Sequence, residues 1–283
     1  MAKWTGVFAC GLLVGVVATL LLKPGGGSGR VETDGLDTVA VDTSFVDVIA
    51  EDDAQEGRCP AEVYGIDVSV YQDTIDWDNL SDFDNDVYGL RQVPLKFVFV
   101  RATKGTAFIG KGRKRKRLER YVDSMYEYNY AEAKRHGFHR GVYHYLTMDE
   151  PGAEQARFFL ENVRLEKGDL PPVLDYEIRS PRMVPIVKDW LAVVERKLGV
   201  KAIIYTTRKI YNEYVKDDPA LSDHDFWMAK PDQNLAPDIP NTVFWQFSHH
   251  GEVREIPRNY VDLDKFNGTY QDFLKYIDEK GIK

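Results

Sequence analysis

Eight short apolar runs, read in order along the chain, limit its fold more than any other feature. They are VYGIDVS (63–69), KFVFVRA (96–102), GVYHYLT (141–147), PVLDYEI (172–178), KAIIYTT (201–207), DFWMAK (225–230), TVFWQFS (242–248) and NYVDLD (259–264). The stretches between the early runs, such as 153–163 and 186–198, carry apolar residues at i, i+3 and i+4. That spacing is the mark of helices with one buried face. Strands alternating with helices are joined as parallel βαβ units. Eight such strands in roughly 200 residues predict a closed α/β barrel. The last three runs differ. The link before TVFWQFS holds Pro231, Pro237 and Pro240, which exclude a regular helix, and the link after it is short. The pattern therefore predicts an irregular TIM-like barrel with five βα units followed by three strands lacking regular helices. Those final strands are expected to run antiparallel, because short links suit hairpins.

The chain ahead of the barrel has a different composition. Residues 4–22 contain no charge over 19 positions, just enough to cross a bilayer as a helix. Residues 24–29 read PGGGSG, and residues 31–57 hold nine Asp or Glu with no Lys or Arg; such a stretch buries little and repels itself. The expected plan is an N-terminal transmembrane anchor or signal segment (1–23), a flexible acidic linker (24–60), a catalytic barrel (61–276) and a C-terminal tail (277–283). It predicts contact with the membrane through residues 4–22 and a barrel held outside the cytoplasm, in the periplasm or at the cell surface. The barrel would be secreted if the segment is cleaved. The net charge of −8 gives no reason to expect nucleic-acid binding. The two cysteines, Cys10 and Cys59, indicate neither a disulfide framework nor a cysteine-rich metal site. The barrel is expected to be monomeric.

The sharpest chemical feature is Asp175-Tyr176-Glu177, closing the run PPVLDYEI. In a strand, residues i and i+2 project to one face, with Cα atoms about 6.5 to 7 Å apart. At the C-terminal end of a barrel strand that face looks into the mouth where active sites sit. Two like charges buried side by side are costly, and one answers by keeping its proton. A carboxylic acid in that state can donate to a departing glycosidic oxygen. Asp67 in YGIDVS and Asp262 in NYVDLD are further acids at strand ends. Either alone is more often a capping or surface acid, but four in one barrel mouth make an anionic centre suited to an oxocarbenium-like transition state.

Aromatic residues follow the same geography: Tyr143, Tyr145, Tyr205, Trp227, Trp245 and Phe247 lie on or near strand ends, and alternation turns only some of them inward. Tyr143, Tyr145, Tyr205 and Trp227, with Gln246, are the candidate substrate-binding residues. Gln246 is suited to hydrogen-bond a sugar or a neighbouring backbone group. His144 faces away from Tyr143 and Tyr145 and reads as structural. The run KGRKRKR at 111–117 is either a solvated loop or a patch that attracts an acidic polymer. Motifs for serine hydrolases, nucleotide-binding loops and zinc proteases are absent from the sequence.

Taken together, these segments resemble glycoside hydrolase family 25, the lysozymes of the Chalaropsis type, over about residues 64–273. YGIDVSVYQDTIDW (64–77) resembles the opening strand, FVFVRATKGT (97–106) the second, and NYAEAKRHGFHRGVYHYL (129–146) the helix and third strand. LPPVLDYEI (170–178) carries the acid pair, and IIYTT (203–207), FWMAKP (226–231), FWQFSHHGEV (244–253) and VDLDKFNG (261–268) complete the series. The resemblance implies hydrolysis of the β-1,4 bond between N-acetylmuramic acid and N-acetylglucosamine in peptidoglycan glycan strands, with retention of configuration. It implies Glu177 as acid and then base, Asp175 as its partner, Asp67 and Asp262 as supporting acids, and Tyr205 as a cleft tyrosine. It implies no metal or organic cofactor. The sequence departs from the family pattern at Lys104, where Glu is frequent, at Asp73, where Gly is frequent, and in the basic insertion near 111–117. Two other readings share the sequence: a non-catalytic cell-wall glycan-binding barrel, and a tether between membrane and wall.

Overall fold

A computed structural model describes residues 62–109, 116–229, 238–257 and 260–283 of the protein. Twelve strands are described: β1 (Val63–Val68), β2 (Asp82–Asn85), β3 (Leu90–Lys104), β4 (Ala107–Ile109), β5 (Lys116–Leu118), β6 (Tyr121–Val122), β7 (His139–Tyr145), β8 (Val173–Tyr176), β9 (Ile203–Thr207), β10 (Phe226–Ala229), β11 (Thr242–Gly251) and β12 (Val261–Phe266). Eight of them close a barrel in the order β1, β3, β7, β8, β9, β10, β11, β12 and back to β1. These eight correspond to the eight apolar runs.

Alternation along each strand sorts side chains into two cores. Inside the barrel, Val63, Phe97, Phe99, Val173, Ile203, Phe244 and Phe266 pack together. The C-terminal helix α6 (Tyr270–Lys280) adds Phe273, Tyr276 and Ile277 to this cluster. Phe273 lies 5.6 Å from Phe97 and 5.2 Å from His139, centroid to centroid, so the helix plugs the end of the barrel where the parallel strands begin. The chain end stays docked beyond it: Ile282 donates its N–H to Asp169 O at 2.9 Å and accepts one from Gly168 at 3.0 Å. Outside the barrel, Ile66, Val98, Val100, Val142, Leu174, Ile204 and Met228 meet the helices α1 (Tyr126–Arg135), α2 (Gly152–Asn162) and α3 (Met183–Leu198). His144 belongs to this outer layer. It is buried, hydrogen-bonds Thr103 Oγ1 at 2.7 Å and Gln155 Oε1 at 3.2 Å, and stacks on Trp190.

Three expectations need correcting. Among the described residues no helix is long and apolar enough to cross a membrane. The transmembrane helix expected at 4–22 lies outside the described residues, as do the linker at 24–60 and most of the basic run 111–117. The membrane helix, the membrane contact and the anchored location therefore drop out of the account of this fold. Secondly, no helix joins β1 to β3. That link holds two short 3-10 turns (Val70–Gln72 and Asp86–Tyr88) and strand β2, which folds back antiparallel on an extended β3. The reversal is set by Asn85, whose side chain accepts from Tyr88 N, and by Gly89 in the left-handed region at φ 66°, a conformation that glycine adopts without strain. Helices are described in four crossovers, the last, from β9 to β10, being two short helices, α4 (Arg208–Ile210) and α5 (Pro219–Ser222), around a π turn. Thirdly, β11 runs parallel to β10, and of the last three barrel strands only β12 is antiparallel to its neighbours. The link over residues 230–241 spans 12 residues, and a parallel connection needs about a dozen.

Helix α2 sits close on α3 at Gly152. A methyl group added there would stand 1.9 Å from Ile186 O. Alanine gains up to about 1 kcal/mol in helix propensity, but overpacking against backbone costs about 1 to 3 kcal/mol. Gly152→Ala is therefore expected to lower the urea midpoint of unfolding, and an unchanged or raised midpoint would disprove the close approach.

Candidate active site

The strand ends above the inner core are polar, and they converge. A pocket of about 170 Å³ opens at the C-terminal ends of the parallel strands. All nine residues singled out from the sequence line it: Asp67, Tyr143, Tyr145, Asp175, Glu177, Tyr205, Trp227, Gln246 and Asp262. Asp175 is inward on β8, in register with Tyr145 on one side and Tyr205 on the other. Glu177 follows two residues later, just past the strand. Asp67 and Asp262 face each other across the antiparallel β1–β12 pair. Trp245 and Phe247 point the other way, into the outer core. A larger hollow of about 920 Å³ lies beside the β2–β3 hairpin; it mixes Asp82, Asp84, Glu252 and Glu255 with Arg91 and Arg254 and contains none of the nine.

Hydrogen bonds tie the pocket's floor together. Tyr205 donates its hydroxyl to Gln246 Oε1 at 2.7 Å, and Gln246 Nε2 donates to Asp67 Oδ2 at 2.8 Å. Gln246 therefore meets a side chain, not a backbone group. His249 Nδ1 lies 2.9 Å from Asp262 Oδ1 at the rim. Tyr145 hydrogen-bonds Glu177, and the Lys104 ammonium sits over the Tyr145 ring at 4.3 Å.

Burial is the main force on the acids. It pushes Asp175 well above the usual carboxylate range, and the charges of Glu177 and Asp67 add to the shift, while Arg101 and Lys104 oppose it. Asp67 is raised in the same way, first by burial and then by Asp262, against the hydrogen bond from Gln246. Glu177 still reaches solvent at the rim, yet the surrounding protein strips enough water to raise it, against the hydrogen bond from Tyr145. Asp175 has one further property. Its Oδ1 is buried and has no hydrogen-bond partner. An acceptor left unpaired among the described residues in a low-dielectric site carries its full desolvation cost.

Several pocket residues escaped the sequence reading. Ser69, Tyr71 and Gln72 come from the turn after β1. Arg101, buried on β3, pairs with Asp123, Nε to Oδ2 2.8 Å, and lies 4.9 Å from the centre of the Tyr71 ring. Asp123 Oδ2 also accepts Val70 N at 3.1 Å, which fixes the turn to the barrel. Period-two alternation from Phe97 and Phe99 would have turned Arg101 inward and so flagged it. The ion pair with Asp123 had no local signal.

Residues 66–256 match the family described as glycosyl hydrolases family 25. The chain belongs to this family. Lysozyme M1 of Streptomyces globisporus is 27% identical over 226 residues, covering 73% of this chain and 68% of that one. The uncharacterized protein YegX of Escherichia coli (strain K12) is 33% identical over 234 residues, covering 80% and 77%. Among solved structures, the bacterial lysozyme from Streptomyces coelicolor superposes with a TM-score of 0.60 at 27% identity, covering 77% of this chain and 98% of that one. Membership in family 25 makes the chain a glycoside hydrolase. The family match stops short of Asp262, and that residue's place in the pocket comes from the structure, from the β1–β12 register and the pocket lining.

Proposed function

We propose that this family 25 enzyme is a peptidoglycan N-acetylmuramidase, cutting the β-1,4 bond between N-acetylmuramic acid and N-acetylglucosamine with retention of configuration. The observation that carries the reading is the unpartnered, buried Oδ1 of Asp175 beside Glu177. Two neighbouring carboxyls, one of them buried, hold one proton between them into the neutral range. In the empty pocket the deeper residue, Asp175, feels the stronger pull on that proton. A substrate acetamide changes the balance: its N–H donates to the Asp175 carboxylate, stabilises the ionised form there, and leaves the proton to Glu177. Glu177 then protonates the glycosidic oxygen as the acetamido oxygen attacks the anomeric carbon, forming an oxazolinium ion and releasing the N-acetylglucosamine end. Glu177, now a carboxylate, takes a proton from water, which opens the ring with net retention. Asp67 and Asp262 supply negative charge near the developing cation, and Tyr143, Tyr145, Tyr205 and Trp227 offer ring faces and hydroxyls to the sugar. Lysozyme M1 and the Streptomyces coelicolor lysozyme, both similar to this chain, support the choice of substrate.

Mass spectrometry of purified peptidoglycan digested by the enzyme tests this. New reducing ends on muramic acid are expected. Reducing ends on glucosamine, or released peptides with intact glycan, would contradict the assignment.

A further inference from the structure

Behind the pocket floor lies an acid that the mechanism above does not use. Asp264 is on β12, two residues from Asp262 and on the same inward face, and it is fully buried. In the β1–β12 register it stands opposite Gly65, while Asp67 stands opposite Asp262. Asp264 and Asp67 are therefore diagonal neighbours, within reach of one another's side chains. One oxygen of Asp264, Oδ1, accepts the indole N–H of Trp227 at 2.8 Å. The other, Oδ2, is buried and has no donor. The Asp67 carboxyl is its diagonal neighbour in the register, and two carboxyl groups can share a hydrogen bond only if one of them keeps its proton.

We infer that Asp264 is a positioning residue: a neutral carboxylic acid that donates its proton to Asp67 and holds Asp67 and Trp227 in fixed orientation under the substrate. This rests on the reading of the pocket as the catalytic site. Asp264 is the partner that keeps the proton because it is the deeper of the two. Asp67 is 8% exposed where Asp264 is 0%, and Asp67 already receives the Gln246 amide, which favours its ionised form. Burial also holds the Asp264 carboxyl well above its usual range. The result is an ordered chain running Trp227, Asp264, Asp67, Gln246, Tyr205, in which every link but one is a donor other than a carboxylic acid. Without the Asp264 proton, two carboxylates would face each other in a dry cavity and the chain would break at Asp67.

Asp264→Asn keeps both contacts in kind, since its oxygen can accept from Trp227 and its amide can donate to Asp67. Asp264→Leu keeps the branched outline in a larger side chain and neither contact. Infrared difference spectra between the wild type and Asp264→Asn at neutral pH are expected to show the carbonyl stretch of a protonated carboxylic acid in the wild type that the variant lacks. On purified peptidoglycan, Asp264→Asn is expected to keep kcat within about fivefold, whereas Asp264→Leu loses about thirtyfold or more, the effect of leaving a buried charged acceptor unpaired. The pH profile of Asp264→Asn is expected to keep the acid limb of the wild type, because a group that stays neutral throughout contributes no limb. Difference bands of a carboxylate alone, a shifted acid limb, or an amide variant as damaged as the leucine variant would each overturn the inference. The infrared signal does not depend on turnover. If the wild type failed to cleave peptidoglycan, the proton on Asp264 would still be read directly, and the two failures would be told apart.

Discussion

Replacing Glu177 with glutamine is expected to reduce clearing of purified peptidoglycan by about a thousandfold or more, within the range that general acid catalysis contributes, while leaving the barrel folded. Glutamine matches the volume and can still meet the Tyr145 hydroxyl, but it has no proton to give to a leaving oxygen. The same variant is expected to melt at a higher temperature. Glu177 is raised above its ordinary value of 4.5, so folding is favoured most when the group is protonated. That stabilising contribution is fully present below the unfolded pKa and is lost as pH rises through the folded one. At neutral pH the wild type has lost it, whereas glutamine never carries the charge. The gain in melting temperature should shrink as the buffer is taken below the ordinary glutamate range, a trend that scanning calorimetry across pH would follow. Substantial clearing by the variant would remove Glu177 from the acid role. A lower melting temperature at neutral pH would show that the carboxylate is stabilised by its surroundings, not strained by them.

The legible and the illegible parts of this molecule differ in the range of the interactions that set them. Each barrel strand announces itself by apolar residues within a window of about seven positions, and its inward face by period two. Sequence alone therefore places Asp67, Asp175, Tyr205 and Gln246 at the mouth. The links were harder. β2 pairs with the extended start of β3 through contacts such as Leu95 N to Ser81 O at 2.9 Å, and nothing in the intervening residues has helical or strand period strong enough to announce that hairpin. The direction of β11 depends on where the 230–241 link takes the chain, not on β11's own residues. Asp264 was within reach: it shares the inward face with Asp262 by simple alternation in VDLD. Its role has no local signal, because its partners Trp227 and Asp67 are 37 and 197 residues away along the chain. His249 beside Asp262 is a cross-strand contact of the same hidden kind.

Asp175→Asn separates two routes that the same pair of carboxyls could serve. Asparagine can still accept an acetamide N–H but cannot offset the positive charge of an oxazolinium ion, and its amide can turn the wrong way. A loss of about a hundred- to a thousandfold in kcat is expected, the scale on which one preorganised electrostatic group acts. Removing a negative neighbour also lets the remaining acid ionise more readily, so the alkaline limb of the pH profile should move to lower pH. An unmoved limb would mean that the two carboxyls do not share a proton. The alternative is that Asp175 attacks the anomeric carbon itself, and the routes part on one substrate. Peptidoglycan whose muramic acid bears a free amine has no acetamido oxygen to act as nucleophile. It should resist the wild-type enzyme if the acetamide is the nucleophile, and be cut if the Asp175 carboxylate is. The depth of Asp175 favours the first outcome: a nucleophile would have to swing that carboxylate out from between Tyr145 and Tyr205, its neighbours in register.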